Sequence, residues 1–242
     1  MPVVVPLQSA SYGSQFRALG LRGAARYLDP FMNVDHAWMS GPTFPPHQHA
    51  GFAAISYVFP DSESGMANRD STGLSNLIKP GGVHWLMAGN GATHEEVPAV
   101  EGKTVHSLQI FVQVRPALRS APASTLSIEP QDIPVVSLHG VNLRVVAGEF
   151  AGRRAPGIAP ADVDMFDVAL ERGAELRLPL TRGRSTFFLP VHGTVSVSGN
   201  DFGLDDLTAP VFQSSEMVSE VVLSAPHGAA KVMIFSGVPY HQ

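Results

Sequence analysis

Two short segments carry side chains spaced to hold a metal ion: His47-Gln48-His49 and His94-Glu95-Glu96. Alternate residues of an extended segment project to the same side. His47 and His49 therefore share one face of their segment, and His94 and Glu96 share one face of theirs, with Glu95 pointing away. Together the pairs offer three neutral imidazole nitrogens and one carboxylate oxygen. That donor set suits Fe(II), Mn, Ni, Cu or Zn, whereas Ca and Mg favour oxygen ligands. Pro45 and Pro46 stiffen the approach to the first pair, and Gly51 follows it closely. A solitary His-x-His is common on protein surfaces and is weak alone. Two such pairs, each near glycine turns, form a stronger pattern, because the chain between them suits two or three strands returning to one end of a barrel.

Other chemistries are thinly represented. The chain has no cysteine, which excludes a disulfide scaffold, a thiolate metal site and a cysteine nucleophile. Ser56, Ser71 and Ser75 lack the GxSxG surroundings of an activated serine. Gly73, Gly81, Gly82, Gly89 and Gly91 mark turns, since no strand–glycine loop–helix pattern surrounds them. With a net charge of -5 and no Lys/Arg block, direct nucleic-acid binding is not expected.

The elements that must position these residues read as strands. Leu108 to Val114 alternates in period two, and Thr194 to Ser198 does so before the turn signal Gly199-Asn200. Glu175 to Leu178, Val218 to Leu223 and Lys231 to Phe235 follow the same pattern. Phe52 to Phe59 is a denser apolar run, expected as a strand buried on both faces. No amphipathic helix longer than about three turns is evident. Hydrophobic residues make up 44% and charged residues 15% of the 242, with 23 Gly and 20 Pro, as many turns between short buried strands require. The expectation is an all-β chain of two stacked barrels, with a single large sandwich as the alternative. The barrels would span residues 1–116 and 135–242. A linker would occupy 117–134, where Pro116, Pro122, Pro130 and Pro134 lie in or beside the stretch. No signal-peptide pattern and no apolar run of about 20 residues is present, so no membrane span and a cytoplasmic location are expected.

Several motifs resemble the pirin family in order and spacing. They are Leu28-Asp29-Pro30-Phe31, Pro46-His47-Gln48-His49-Ala50-Gly51-Phe52, Arg69-Asp70-Ser71, Lys79 to Gly91, His94-Glu95-Glu96-Val97-Pro98 and His106 to Val112. The resemblance covers residues 28–114 and continues more faintly through Arg144 to Gly148 and beyond. It implies two cupin-type, jelly-roll-like barrels, the second metal-free. By matching position it implies one divalent metal, foremost Fe(II), held by His47, His49, His94 and Glu96. The chain departs from the pirin pattern at Ala53, where an acidic residue is usual, at Asn68, where many members have His, and at His84, where many have Gln.

The same resemblance implies two functions. One is oxygenase chemistry like that of quercetin 2,3-dioxygenase on a flavonol-like or other enolic aromatic substrate, with dioxygen as co-substrate. Glu96 would then be a ligand and also the base that removes the enolic proton. The alternative is a non-enzymatic redox sensor that engages a protein partner, as a transcriptional coregulator or an enzyme-binding partner. A metal that only staples the barrel is a third option. Phe52, Tyr57, Trp85 and Met87 are expected either to line an apolar pocket or to be ordinary core. His84 and His106 are candidates either for groups supporting the ligands or for satisfied buried histidines. Gln109 is expected either to orient Glu96 or to cap an exposed edge, and Ala53 is expected to leave the metal accessible. His139, His192, His227 and His241 stand apart and read as surface or structural residues.

Overall fold

A computed structural model of the chain describes residues 2–217 and 219–240. Val218, expected to open a strand, and His241 lie outside the described residues. The first half opens with β1 (Val3–Pro6), β2 (Gln8–Tyr12) and β3 (Phe16–Gly20), then one helical turn, α1 (Ala25–Leu28), and β4 (Phe31–Met39). Next come β5 (His47–His49), β6 (Phe52–Val58), β7 (Met66–Asp70) and β8 (Ser75–Ile78). The half ends with β9 (Val83–Met87), β10 (Ala92–Pro98), β11 (Val105–Gln113) and β12 (Ser124–Ile128). These strands form a seven-stranded sheet, β12-β9-β6-β11-β4-β3-β2, and a four-stranded sheet, β5-β10-β7-β8.

The second half contains β13 (Val135–Leu138), β14 (Val141–Ala147), β15 (Glu149–Phe150), β16 (Arg153–Arg154), β17 (Val163–Leu170) and β18 (Glu175–Leu180). It continues with β19 (Ser185–His192), β20 (Thr194–Val197), β21 (Asn200–Gly203), β22 (Thr208–Phe212), β23 (Ser219–Ser224) and β24 (Ala230–Gly237). Its sheets are β1-β22-β19-β24-β17-β14-β13 and β18-β23-β20-β21, with β15 and β16 as a small ribbon. Each half thus has the all-β, cupin-type arrangement expected, as two facing sheets with no continuous ladder around them among the described residues. Two features cross the expected boundaries. β1 adds to the sheet of the second half by pairing with β22, Val5 opposite Ala209. The stretch 117–134, expected as a linker, carries β12, which pairs with β9. Its prolines bracket Ser124–Ile128 without entering it, so the ladder forms undisturbed.

The largest apolar core lies between the two seven-stranded sheets. Ile55, Tyr57, Trp85 and Leu108 come from the first half, and Phe187, Leu189, Met233 and Phe235 from the second. Phe31 meets Phe187 and Phe235 edge-on, with centroids 5.3 and 5.4 Å apart. The Tyr57 hydroxyl donates to Asp167 across this layer at 2.7 Å, and Lys231 Nζ lies 3.2 Å from the same carboxylate. Inside the second half, one apolar cluster that includes Leu143, Phe166, Leu176, Phe188 and Leu223 fills the space between its sheets. The first half differs. Its interior holds two small clusters, one around Met39, Val58 and Met66 and one around Ala54, Leu86 and Ala92. The polar site lies beside them.

Candidate metal centre

β5 and β10 run antiparallel, with His47 directly opposite His94 and His49 opposite Ala92. This register turns two local period-two pairs into one cluster. The ligating atoms of His47, His49 and His94 all lie within 4.8 Å of one another. β10 continues past the end of β5 and pairs with β7, Glu96 facing Asn68. His94 and Glu96 are buried while Thr93 is exposed and Glu95 half-buried, as alternation demands. His94 Nδ1 is 4.0 Å from Glu96 Oε1. The three histidines are thus brought together, while Glu96 adjoins His94 from the side and is not part of that cluster of ligating atoms.

The donor chemistry fits a cation. His47 donates its Nδ1–H to Pro45 O at 3.0 Å, which leaves the Nε2 lone pair free. His49 Nε2 and His94 Nε2 face each other at 3.0 Å. Two nitrogens bound at about 2.0–2.1 Å and at right angles to one ion sit about 3 Å apart. His94 Nδ1 is buried with no hydrogen-bond partner among the described residues. Burial, reinforced by neighbouring imidazoles, lowers the pKa of His49 to about 4 and that of His94 to about 3. Both rings are neutral at pH 7 and offer lone pairs. Burial acts oppositely on Glu96, raising it to about 7 against a hydrogen bond from Ser56.

Ser56, considered in the sequence only as a nucleophile, holds Glu96. Its Oγ lies 2.6 and 2.8 Å from the two carboxylate oxygens and 3.1 Å from Gln109 Oε1. A hydroxyl amid the apolar run Phe52 to Phe59 needs a partner once buried, and that demand was the available signal. Gln109 is directly opposite Ser56 across β6 and β11. It reaches the site as one of the two possibilities expected for it.

A cavity of about 250 Å³ opens beside His47 and Glu96. Phe16, Phe44, Phe111, Met39 and Met66 supply its apolar wall, and Arg22, Asp35, Ser107 and Gln109 its polar groups. None of the four residues expected as pocket wall or as core belongs to its wall. Tyr57, Trp85 and Met87 occupy the opposite faces of their strands, in the core between the halves. Phe52 packs on the His49 ring at 5.2 Å and on Phe111. Ala53 also faces that core, so its small side chain does not govern access to the metal. Parity likewise removes His106 from the site. It is on the reverse face of β11 from Gln109, bonded to His36 at 2.6 Å and beside Asp61 at 3.1 Å. His84 sits near the ligands without bonding one; its Nδ1 meets Ser127 Oγ at 2.8 Å and its Nε2 is 3.5 Å from Asn68. Far from the site, His139 and His192 are exposed and His227 pairs with Asp201 at 2.7 Å.

Facing sheets, a histidine triad on β5 and β10 and a pocket at its side define a cupin with a candidate metal centre in its first half. The Pirin family model matches residues 15–112, the segment that builds this centre. A pirin-like protein of Caulobacter vibrioides is 30% identical over 81% of this chain and 73% of its own length. The chain belongs to the pirin family. Human pirin is 29% identical over 80% of the chain, which spans 66% of that protein's length. Among solved structures, quercetin 2,3-dioxygenase from Acinetobacter baumannii superposes with a TM-score of 0.85 at 27% identity, covering 99% of this chain and 87% of that one.

Proposed function

We propose that this pirin is a metal-dependent oxygenase acting on an enolic aromatic substrate, with His47, His49, His94 and Glu96 as the metal ligands and Fe(II) as the first candidate ion. The observation that carries this reading is the combination at one place. A histidine triad and a buried carboxylate adjoin an aromatic-walled pocket, whereas a redox sensor needs only a responsive surface. The bound metal would supply the electronic coupling between an enolate and dioxygen. The chain's own residues supply the rest. Glu96, poised near neutrality by burial, accepts the enolic proton at a carboxylate oxygen. Ser56 keeps that carboxylate aimed, and the phenylalanine wall excludes water from the substrate face. Similarity to a quercetin 2,3-dioxygenase supports the same reaction class.

The test is dioxygen uptake with flavonols and smaller enolic aromatics by protein loaded in turn with Fe(II), Mn(II), Ni(II) and Cu(II). Uptake that needs the metal and falls at least about 100-fold in Glu96→Gln is expected, since a positioned acid or base contributes about 10²–10⁴-fold. No uptake with any metal sinks the oxygenase.

A further inference from the structure

We propose that the ligand of this pocket is a single aromatic ring bearing vicinal oxygens at one end and a carboxylate at the other, with Arg22 reading the carboxylate. The inference rests on the oxygenase reading for the identity of the site and narrows its substrate. Size is the first argument. An apolar cavity of about 150 Å³ holds a benzene-sized ring, so about 250 Å³ holds one ring with substituents. A three-ring flavonol at the same allowance needs on the order of 400 Å³. Phe44 is part of the wall that a longer ligand would meet. It is wedged edge-on against Phe16 at 5.0 Å and tilted against Tyr12, on a loop stiffened by Pro42, Pro45 and Pro46.

The second argument is a polar row across the pocket floor. Ser56, Gln109, Asp35 and Gly20 stand at one register level on β6, β11, β4 and β3. Ser56 and Asp35 are two strand spacings apart, about 10 Å. That is the length of one ring with a polar substituent at each end, contact distances included. At the near end Ser56 carries Glu96. At the far end Asp35 carries Arg22, accepting from Nε at 3.2 Å and Nη2 at 3.1 Å. Asn33 donates to the same carboxylate at 2.8 Å. A Cβ at Gly20 would collide with Asp35 Oδ1, so glycine makes room for this clamp. Arg22 has five N–H donors and spends two on Asp35. Arg22 lines the pocket, and its three remaining N–H groups have no partner among the described residues, so the guanidinium can still take a carboxylate.

Binding can be read without turnover, using anaerobic zinc-loaded protein titrated calorimetrically with 3,4-dihydroxybenzoate, catechol and quercetin. The carboxylated ring should bind at least tenfold more tightly than catechol, and Arg22→Gln should bring it down to the catechol value. Quercetin should bind more weakly than either, and Phe44→Ala should raise its affinity at least tenfold by opening that wall. Equal affinities for catechol and 3,4-dihydroxybenzoate, a preference that survives in Arg22→Gln, or quercetin as the tightest ligand would each overturn the inference. So would no binding by any of the three. The carboxylate preference without dioxygen uptake under any metal would overturn the oxygenase reading alone. Uptake with quercetin and no carboxylate preference would overturn only the narrowing.

Discussion

At the scale of residues, Ser56 is the least conspicuous member of the centre and the most open to a clean test. Among the described residues it alone gives the Glu96 carboxylate a side-chain hydrogen bond. Ser56→Ala should lower metal affinity about 10–100-fold, the usual cost of losing a group that orients a ligand, while leaving the fold intact. Competition against a chelator measures it, and a change below threefold would show that Glu96 needs no support. A second expectation concerns acid. His49 and His84 are depressed to about 4 and His94 to about 3, against about 6.5 when unfolded. Between pH 6.5 and 4 the unfolded chain binds more protons at these sites, so metal-free protein loses stability as pH falls through that window. Glu96, raised to about 7, pushes the other way between pH 7 and 4.5. Three groups outweigh one, and the net loss at pH 5 should be on the order of 2–4 kcal/mol. Urea midpoints at pH 7 and pH 5 with chelator present decide it; coincident midpoints would refute the balance. The histidine triad was legible because period-two spacing is a local property. Ser56, Phe44 and Arg22 were not, because their relevance depends on which strands face each other.

Parity governs the scale of elements. A correct strand assignment for Phe52–Val58, Val83–Met87 and Val105–Gln113 leaves open which alternate set faces the site. Of the two places open to Tyr57, Trp85 and Met87, pocket wall or core, the structure gives all three to the core, and it turns His106 to the reverse face as well. Nothing local discriminates, because both faces of these strands are buried, one against the small sheet and one against the other half of the protein. The stretch expected as a linker holds a strand for a related reason: prolines mark where a ladder cannot run, and five residues free of proline suffice for an added strand. β1 offers the test at this scale. Val5 is 2% exposed and its strand covers the edge of β22. Deleting residues 2–6 removes that cover and should cost about 3 kcal/mol, or a drop in Tm on the order of 10 °C, with increased aggregation from the bared edge. An unchanged Tm would mean that β1 is ornamental.

At the scale of the whole molecule, the two halves share the principal core, so they should not unfold separately. Calorimetry should show one transition, and saturating metal should raise all of it even though the ligands come from the first half alone. Two resolved transitions, with only one moved by metal, would contradict the shared core. Within it, Tyr57→Phe deletes the hydroxyl that bridges to Asp167, itself paired with Lys231. The expected cost is about 1–3 kcal/mol, as for a buried hydrogen bond to a charged group. A loss below about 0.5 kcal/mol would mean that Lys231 alone satisfies the carboxylate. The all-β class and the division into two sheet pairs were readable from turn and strand patterning. The asymmetry between a filled second sandwich and a partly hollow first one was not, since it depends on how side-chain volumes sum across facing sheets.

The pairing of β1 with β22 also sets a schedule. Val3–Pro6 leaves the ribosome long before Thr208–Phe212, and at about 5–20 residues per second the interval is on the order of 10–40 s. Throughout it, three consecutive valines wait without their partner strand, at a time when most of the first half has been made. A nascent chain of this design has to keep its opening strand from foreign sheet edges until its last quarter arrives. Ribosome-stalled intermediates shorter than about 210 residues should therefore be the stage at which chaperones bind it most.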